Sequence, residues 1–202
     1  MKQINYIDLG VHSGEEIDIV LNDYNQYKEK FKLSIYGVEA DVDWCSQLKY
    51  RYEDWEEVKI YNKAISNDNK EIKLFLDNKR LGSSIFPTKR NVTDKYILVQ
   101  GIKITDFIKK YINDFENSIN VIKLNIEGAE LLVYQDLIDN NMLQYIDLFC
   151  GHPSHDILKV NELSDKIEEY FNIIKNNNIQ IKYLCGEVNS EQSINIFENI
   201  LK

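Results

Sequence analysis

Proline and cysteine are scarce in this chain, and strongly basic segments are few. Only Pro87 and Pro153 interrupt 202 residues, and 44% of the residues are hydrophobic against 28% charged, which is the mix of a folded domain and not of a disordered tail. Cys45, Cys150 and Cys185 are widely spaced and form no CxxC pair, so neither a disulfide framework nor a structural zinc site is indicated. No apolar run is long enough to span a bilayer. The first residues enter a strand pattern at once, without the apolar core of a signal peptide, so a cytoplasmic protein is expected. A net charge of −9 works against sequence-independent binding to nucleic-acid phosphates or anionic lipid. Neither nucleic acid nor membrane is expected as a partner, and a small-molecule ligand leads. The oligomeric state is open.

What is present is an alternation of strand and helix patterns. Residues 3–9 read as a short apolar strand, then come Gly10 and Gly14, then an amphipathic stretch over 15–30. Further strands are expected over 33–38, 57–65 and 120–126, with helices over 43–52, 105–115 and 130–140, Thr105 serving as N-cap. Strand 145–149, helix 163–175 and a closing hairpin or strand pair within 180–202 complete the order. The 71–76 and 96–104 segments have strand character, and 77–100 reads as an insertion. One α/β domain over 1–202 follows: a Rossmann-like, doubly wound, mostly parallel sheet of about seven strands with helices on both faces.

Three segments carry chemistry. Asp8, Gly10, Ser13 and Gly14 lie where the first strand turns into the first helix. Gly10 allows a sharp turn and close backbone approach, and Gly14 allows close packing as the helix begins. An acid followed by GxxxG departs from the GxGxxG of dinucleotide sites and suits a ligand with an amino-acid moiety better than a diphosphate; a plain tight turn is the other reading. Glu39 ends the second strand, where a carboxylate can accept two ribose hydroxyls or cap a helix. Lys123 lies inside a strand covered on both faces and needs a partner. Strand alternation puts it on one face with Asn125, leading to Glu127 at the crevice, as a site or as a structural ion pair.

These segments resemble the FkbM-type methyltransferase family. The resemblance rests on IDLGVHSG at residues 7–14, YGVEA at 36–40, NKAISN at 62–67 and VIKLNIEGAELLVYQDL at 121–137, and spans roughly residues 3–155. It implies a class I methyltransferase fold, S-adenosylmethionine as cofactor and methylation of hydroxyl groups. By the same resemblance Asp8, Gly10 and Gly14 shape the loop around the methionine part, with Ser13 in the same loop. Glu39 holds the ribose, Ala64 or its neighbours in NKAISN lie by the adenine and Asn125 lies near the sulfonium methyl. The family usually has Asp at the position of Asn125, and an acid where this chain has Cys150 before His152.

Methyl transfer from a sulfonium is an in-line displacement that needs mainly orientation and exclusion of water. A hydroxyl acceptor must also lose a proton, and Lys123, Glu127 and His152 are the candidate catalytic residues, His152 as base or else as a plain loop histidine. Cys150, His152, His155 and Asp156 are metal-capable types, but Pro153 turns the chain among them and no metal is expected. Lys79, Arg80, Lys89, Arg90 and Lys95 make the 77–100 segment locally basic: a docking patch for a phosphorylated or nucleotide-linked acceptor, or a solvated loop. The expected function is O-methylation of a small-molecule or sugar hydroxyl. The alternatives are an N-methyltransferase and a catalytically inactive cofactor-binding module.

Overall fold

The computed structural model describes residues 1–151, 156–184 and 193–201. The elements are β1 (Lys2–Leu9), α1 (Glu15–Tyr24), β2 (Phe31–Glu39), α2 (Val42–Arg51), β3 (Val58–Asn62), β4 (Ala64–Ile65), β5 (Glu71–Asp77) and β6 (Val92–Ile102). They continue with α3 (Ile104–Tyr111), β7 (Ile119–Leu124), α4 (Glu130–Asp139), β8 (Leu148–Gly151), α5 (Ile167–Asn176), β9 (Ile181–Leu184), β10 (Ser193–Ile194) and α6 (Ile196–Ile200). The main sheet runs in the order β3-β2-β1-β7-β8-β9, all neighbours parallel, with the two-residue β10 paired parallel to the outer side of β9. This is the doubly wound α/β order, in which the chain reverses direction across the sheet between β1 and β7.

Alternation along the strands feeds two cores. Ile4 and Tyr6 of β1, Ile35 of β2 and Val121 of β7 pack with Ile17 of α1, Leu48 of α2 and Phe197 of α6 on one face. Ile7, Leu9, Val38, Ile122 and Leu124 face the opposite side and pack against Phe107 of α3, Val133 of α4 and Tyr170 of α5. Both faces are thus covered, which is why these strands read as continuous apolar runs. One polar pair is built into the sheet: buried Asn5 Nδ2 donates to Asn120 Oδ1 at 2.9 Å, and Asn120 Nδ2 donates to the Phe115 and Tyr145 carbonyls.

The 57–65 segment divides in two. Lys63 N still donates to the Glu39 carbonyl, but Ala64 and Ile65 leave the main sheet and pair with Gly101 and Ile102 of β6. β5 and β6 form an antiparallel hairpin, giving a second sheet in the order β4-β6-β5. Three sequence expectations need correction. Thr105 is not a cap: α3 begins after Lys103, and both the Thr105 amide and hydroxyl donate to Asp136 Oδ2 of α4 at 2.9 and 2.8 Å. Helix α3 stops at Tyr111 because Ile112 turns extended and Asp114 takes a left-handed conformation. Helix α1 likewise ends at Tyr24, short of the expected 30.

Candidate functional site

A cleft of about 400 Å³ opens at the carboxyl ends of β1, β2 and β7, on one side of the point where the strand order reverses. The size is that of a small-molecule or cofactor site. Gly10, Ser13, Glu39, Ala64, Asn125 and Glu127 all line it. Gly10 holds its floor. Its amide donates to the Val38 carbonyl at 2.9 Å, and its φ is +82°. A Cβ at that position would lie 1.9 Å from the Asn125 carbonyl oxygen, so the close approach of β1 and β7 requires glycine. Gly14 precedes α1 in the same left-handed conformation; a Cβ there would lie 2.5 Å from the Tyr52 hydroxyl, which donates to the Gly14 carbonyl and to Asp18. Gly14 shapes the loop from behind and does not line the cleft.

Glu39 is buried at the end of β2. Its Oε2 accepts the His12 amide at 2.8 Å and its Oε1 the Asp41 amide at 2.7 Å. Burial pushes its carboxyl above the usual range, and the two amide bonds oppose the shift. A carboxylate offers about four acceptor positions, so each oxygen keeps capacity for a hydroxyl from the cleft. His12, which sequence reasoning passed over, lines the cleft with its ring against Trp44 at 4.3 Å between centroids. Burial lowers its pKa, so the imidazole is neutral near pH 7. Its φ of +50° lies in the left-handed region that His, Asn and Asp tolerate better than most residues. No sequence signal distinguishes a cleft histidine from a turn histidine.

Lys123 and Asp8 are opposite each other on β7 and β1 and stand behind the cleft. The Lys123 ammonium, on a residue 1% exposed, lies 3.0 Å from Asp8 Oδ1 and 3.4 Å from Glu16 Oε1, and donates to the Gly10 carbonyl at 2.8 Å. Burial raises the Asp8 carboxyl to about 7 against the pull of that ammonium. The partner that Lys123 requires is therefore Asp8, with Glu16, and not Glu127. As a buried counter-ion it holds the glycine loop and does not face a ligand.

Glu127, at φ +58°, belongs to a separate arrangement. Its Oε2 lies 2.5 Å from Nζ of Lys89, whose side chain is fully buried and which also donates to the Gly82 carbonyl and to Asn91. Burial pushes the Glu127 carboxyl up, and Lys89 draws it down. Ser84 Oγ donates to the Glu127 carbonyl at 2.8 Å. Behind this loop Glu130 is buried, its two oxygens accepting the Ile126 and Gly128 amides at 3.0 and 2.9 Å. At the opposite end of the insertion Arg80 reaches Asp41 through Nε and Nη2, both at 2.6 Å, and pairs with Asp43. The segment from Arg80 to Lys89 is thus fastened on one side to the start of α2 and on the other to the β7–α4 loop. Arg80, Leu81, Ser83 and Ile85 form its cleft wall. Two cations of the expected phosphate-docking patch, Arg80 and Lys89, are committed to internal carboxylates. The candidate base His152 lies outside the described residues.

Comparison of the chain with protein-family models, with curated proteins and with solved structures finds no match in any of the three.

Proposed function

We propose that this chain is an S-adenosylmethionine-dependent methyltransferase with a class I, seven-stranded fold, acting on a hydroxyl of a small molecule or sugar. One observation carries the reading. The glycine loop delivers its cleft onto a helix whose first turn puts Glu15 and Glu16 in the lining, with Glu39 at the end of β2. A pyrophosphate at a helix start needs a positive environment, and Glu15 and Glu16 there oppose it. A cofactor with a sulfonium and an ammonium suits the same surroundings, since both charges are of the sign these carboxylates attract.

In this reading Glu39 accepts the ribose hydroxyls, Ala64 flanks the base, and Gly10, Ser13 and Asn125 border the methionine part. When bound, the cofactor supplies an electrophilic methyl group. The protein's own contribution is to orient the acceptor in line with it and to exclude water, which the strap from Arg80 to Lys89 supports. A second reading is a cofactor-binding module without turnover. The commitment of Glu127 to Lys89 and the uncharged amide at Asn125 favour it, since both weaken the case for a base in the cleft. An N-methyltransferase differs only in the acceptor atom, and an acceptor panel separates it.

Isothermal titration calorimetry with S-adenosylmethionine and S-adenosylhomocysteine tests the reading. Low-micromolar binding, roughly −8 kcal/mol, is expected for the wild type. In Glu39→Ala it is expected to weaken at least tenfold. A well-folded wild type that binds neither ligand overturns the proposal.

A further inference from the structure

The charges around the cleft are arranged in matched sets. Arg80 is matched by Asp41 and Asp43, Lys89 by Glu127, and Lys123 by Asp8 and Glu16. Each cation that approaches the cleft from the insertion or from β7 is therefore already neutralised. The lining itself carries five carboxylates, on Glu15, Glu16, Glu39, Asp41 and Glu127. Glu16, Asp41 and Glu127 are partners in the sets just described, which leaves Glu15 and Glu39 facing the one lining cation outside those sets, Lys63. Lys63 makes no ion pair among the described residues, and it is outnumbered by the acids that remain. The rest of the insertion's wall is apolar or hydroxylic: Leu81, Ser83 and Ile85, with Leu74 of β5 beneath.

We infer that this cleft is built for ligands without net negative charge, namely a neutral or cationic nucleoside-type ligand beside an uncharged, hydroxyl-bearing acceptor, and that it rejects phosphate esters. The nucleoside and the acceptor rest on the methyltransferase reading; the charge selection does not. The physical basis is desolvation. A dianionic phosphate entering the cleft leaves water for a wall on which Lys63 alone is unpaired among the described residues and is faced by Glu15 and Glu39, next to a helix start whose dipole is offset by its own acids. A hydroxyl or a sulfonium meets no such cost. The choice of acceptor thereby narrows to an alcohol or sugar that is neither phosphorylated nor nucleotide-linked.

Adenosine and its 5′-monophosphate differ only in the group at issue, so calorimetric titration of the whole protein with each, at low ionic strength, is the test. Wild type is expected to bind adenosine at least tenfold more tightly than the monophosphate. Glu15→Gln/Glu16→Gln removes two carboxylates from the α1 start while Lys123 keeps Asp8, and there the ratio is expected to fall at least threefold. Glu15→Gln alone, at an exposed position, is expected to move it in the same direction. Equal or tighter binding of the monophosphate by wild type, an unchanged ratio in the double variant, or no binding of adenosine would overturn the inference. If adenosine is preferred but S-adenosylmethionine does not bind, the methyltransferase reading falls and charge selection stands. If S-adenosylmethionine binds but the monophosphate binds as well as adenosine, the reverse holds.

Discussion

Lys123 is among the most completely buried of the described side chains, and Asp8, Glu16 and the Gly10 carbonyl make its ammonium tolerable there. Lys123→Ala takes from the buried Asp8 carboxyl its main counter-ion, and urea denaturation should show a loss of roughly 3–5 kcal/mol. Lys123→Met combined with Asp8→Asn should recover most of it; a single variant as stable as wild type would refute the counter-ion role. Glu130 offers a test in pH. Burial is the main cause that raises its carboxyl to about 7, from an ordinary 4.5. A carboxyl raised on folding holds its proton more tightly in the folded state. The associated stability is therefore fully present below the unfolded value and is lost as pH rises from about 4.5 to about 7. Across that window the contribution is at most about 3 kcal/mol. Denaturation of Glu130→Gln at pH 5 and pH 7.5 should show a smaller difference between the two conditions than wild type does. An equal difference would remove Glu130 as its source.

At the scale of elements, the β1–α1 turn works because two strands approach over a residue without a side chain. Gly10→Ala forces a Cβ onto the Asn125 carbonyl in a left-handed conformation, and a destabilisation of at least about 2 kcal/mol is expected by thermal or urea denaturation. The β5–β6 hairpin and its strap depend on charge instead. Replacing Lys89 by Met removes the buried link to Glu127, and hydrogen exchange should accelerate over residues 78–91 while amides of β1 and β7 keep their protection. Uniform acceleration across the sheet would mean that the pair supports the whole fold and not the strap. The glycine loop and the ends of β2 and β7 were legible in the sequence because glycine spacing and apolar runs are local signals. The strap was not, since Arg80 meets Asp41 across 39 residues and Lys89 meets Glu127 across a similar span. In the sequence those cations look like a solvated basic patch.

For the whole molecule, ligand binding and folding are linked. With S-adenosylhomocysteine at a hundredfold its dissociation constant, stability should rise by roughly 2.7 kcal/mol, a Tm increase of about 5–10 °C that Glu39→Ala cuts to about half or less at the same ligand concentration. No shift in wild type would count against a pocket preformed for that ligand. The alternating strand and helix patterns determined by themselves an α/β domain with a mostly parallel sheet, because burial on both faces imposes apolar runs that any chain of this kind must show. They also placed Gly10, Glu39 and Asn125 at strand ends, and in a doubly wound sheet those ends converge on one crevice. Only the tertiary structure decided which charges reach that crevice. It turned Lys123 inward to Asp8, tied Glu127 to Lys89 and closed Arg80 onto Asp41. The reason is physical: apolar periodicity is repeated along the chain and can be read locally, whereas an ion pair joins two single residues whose separation in sequence carries no signal.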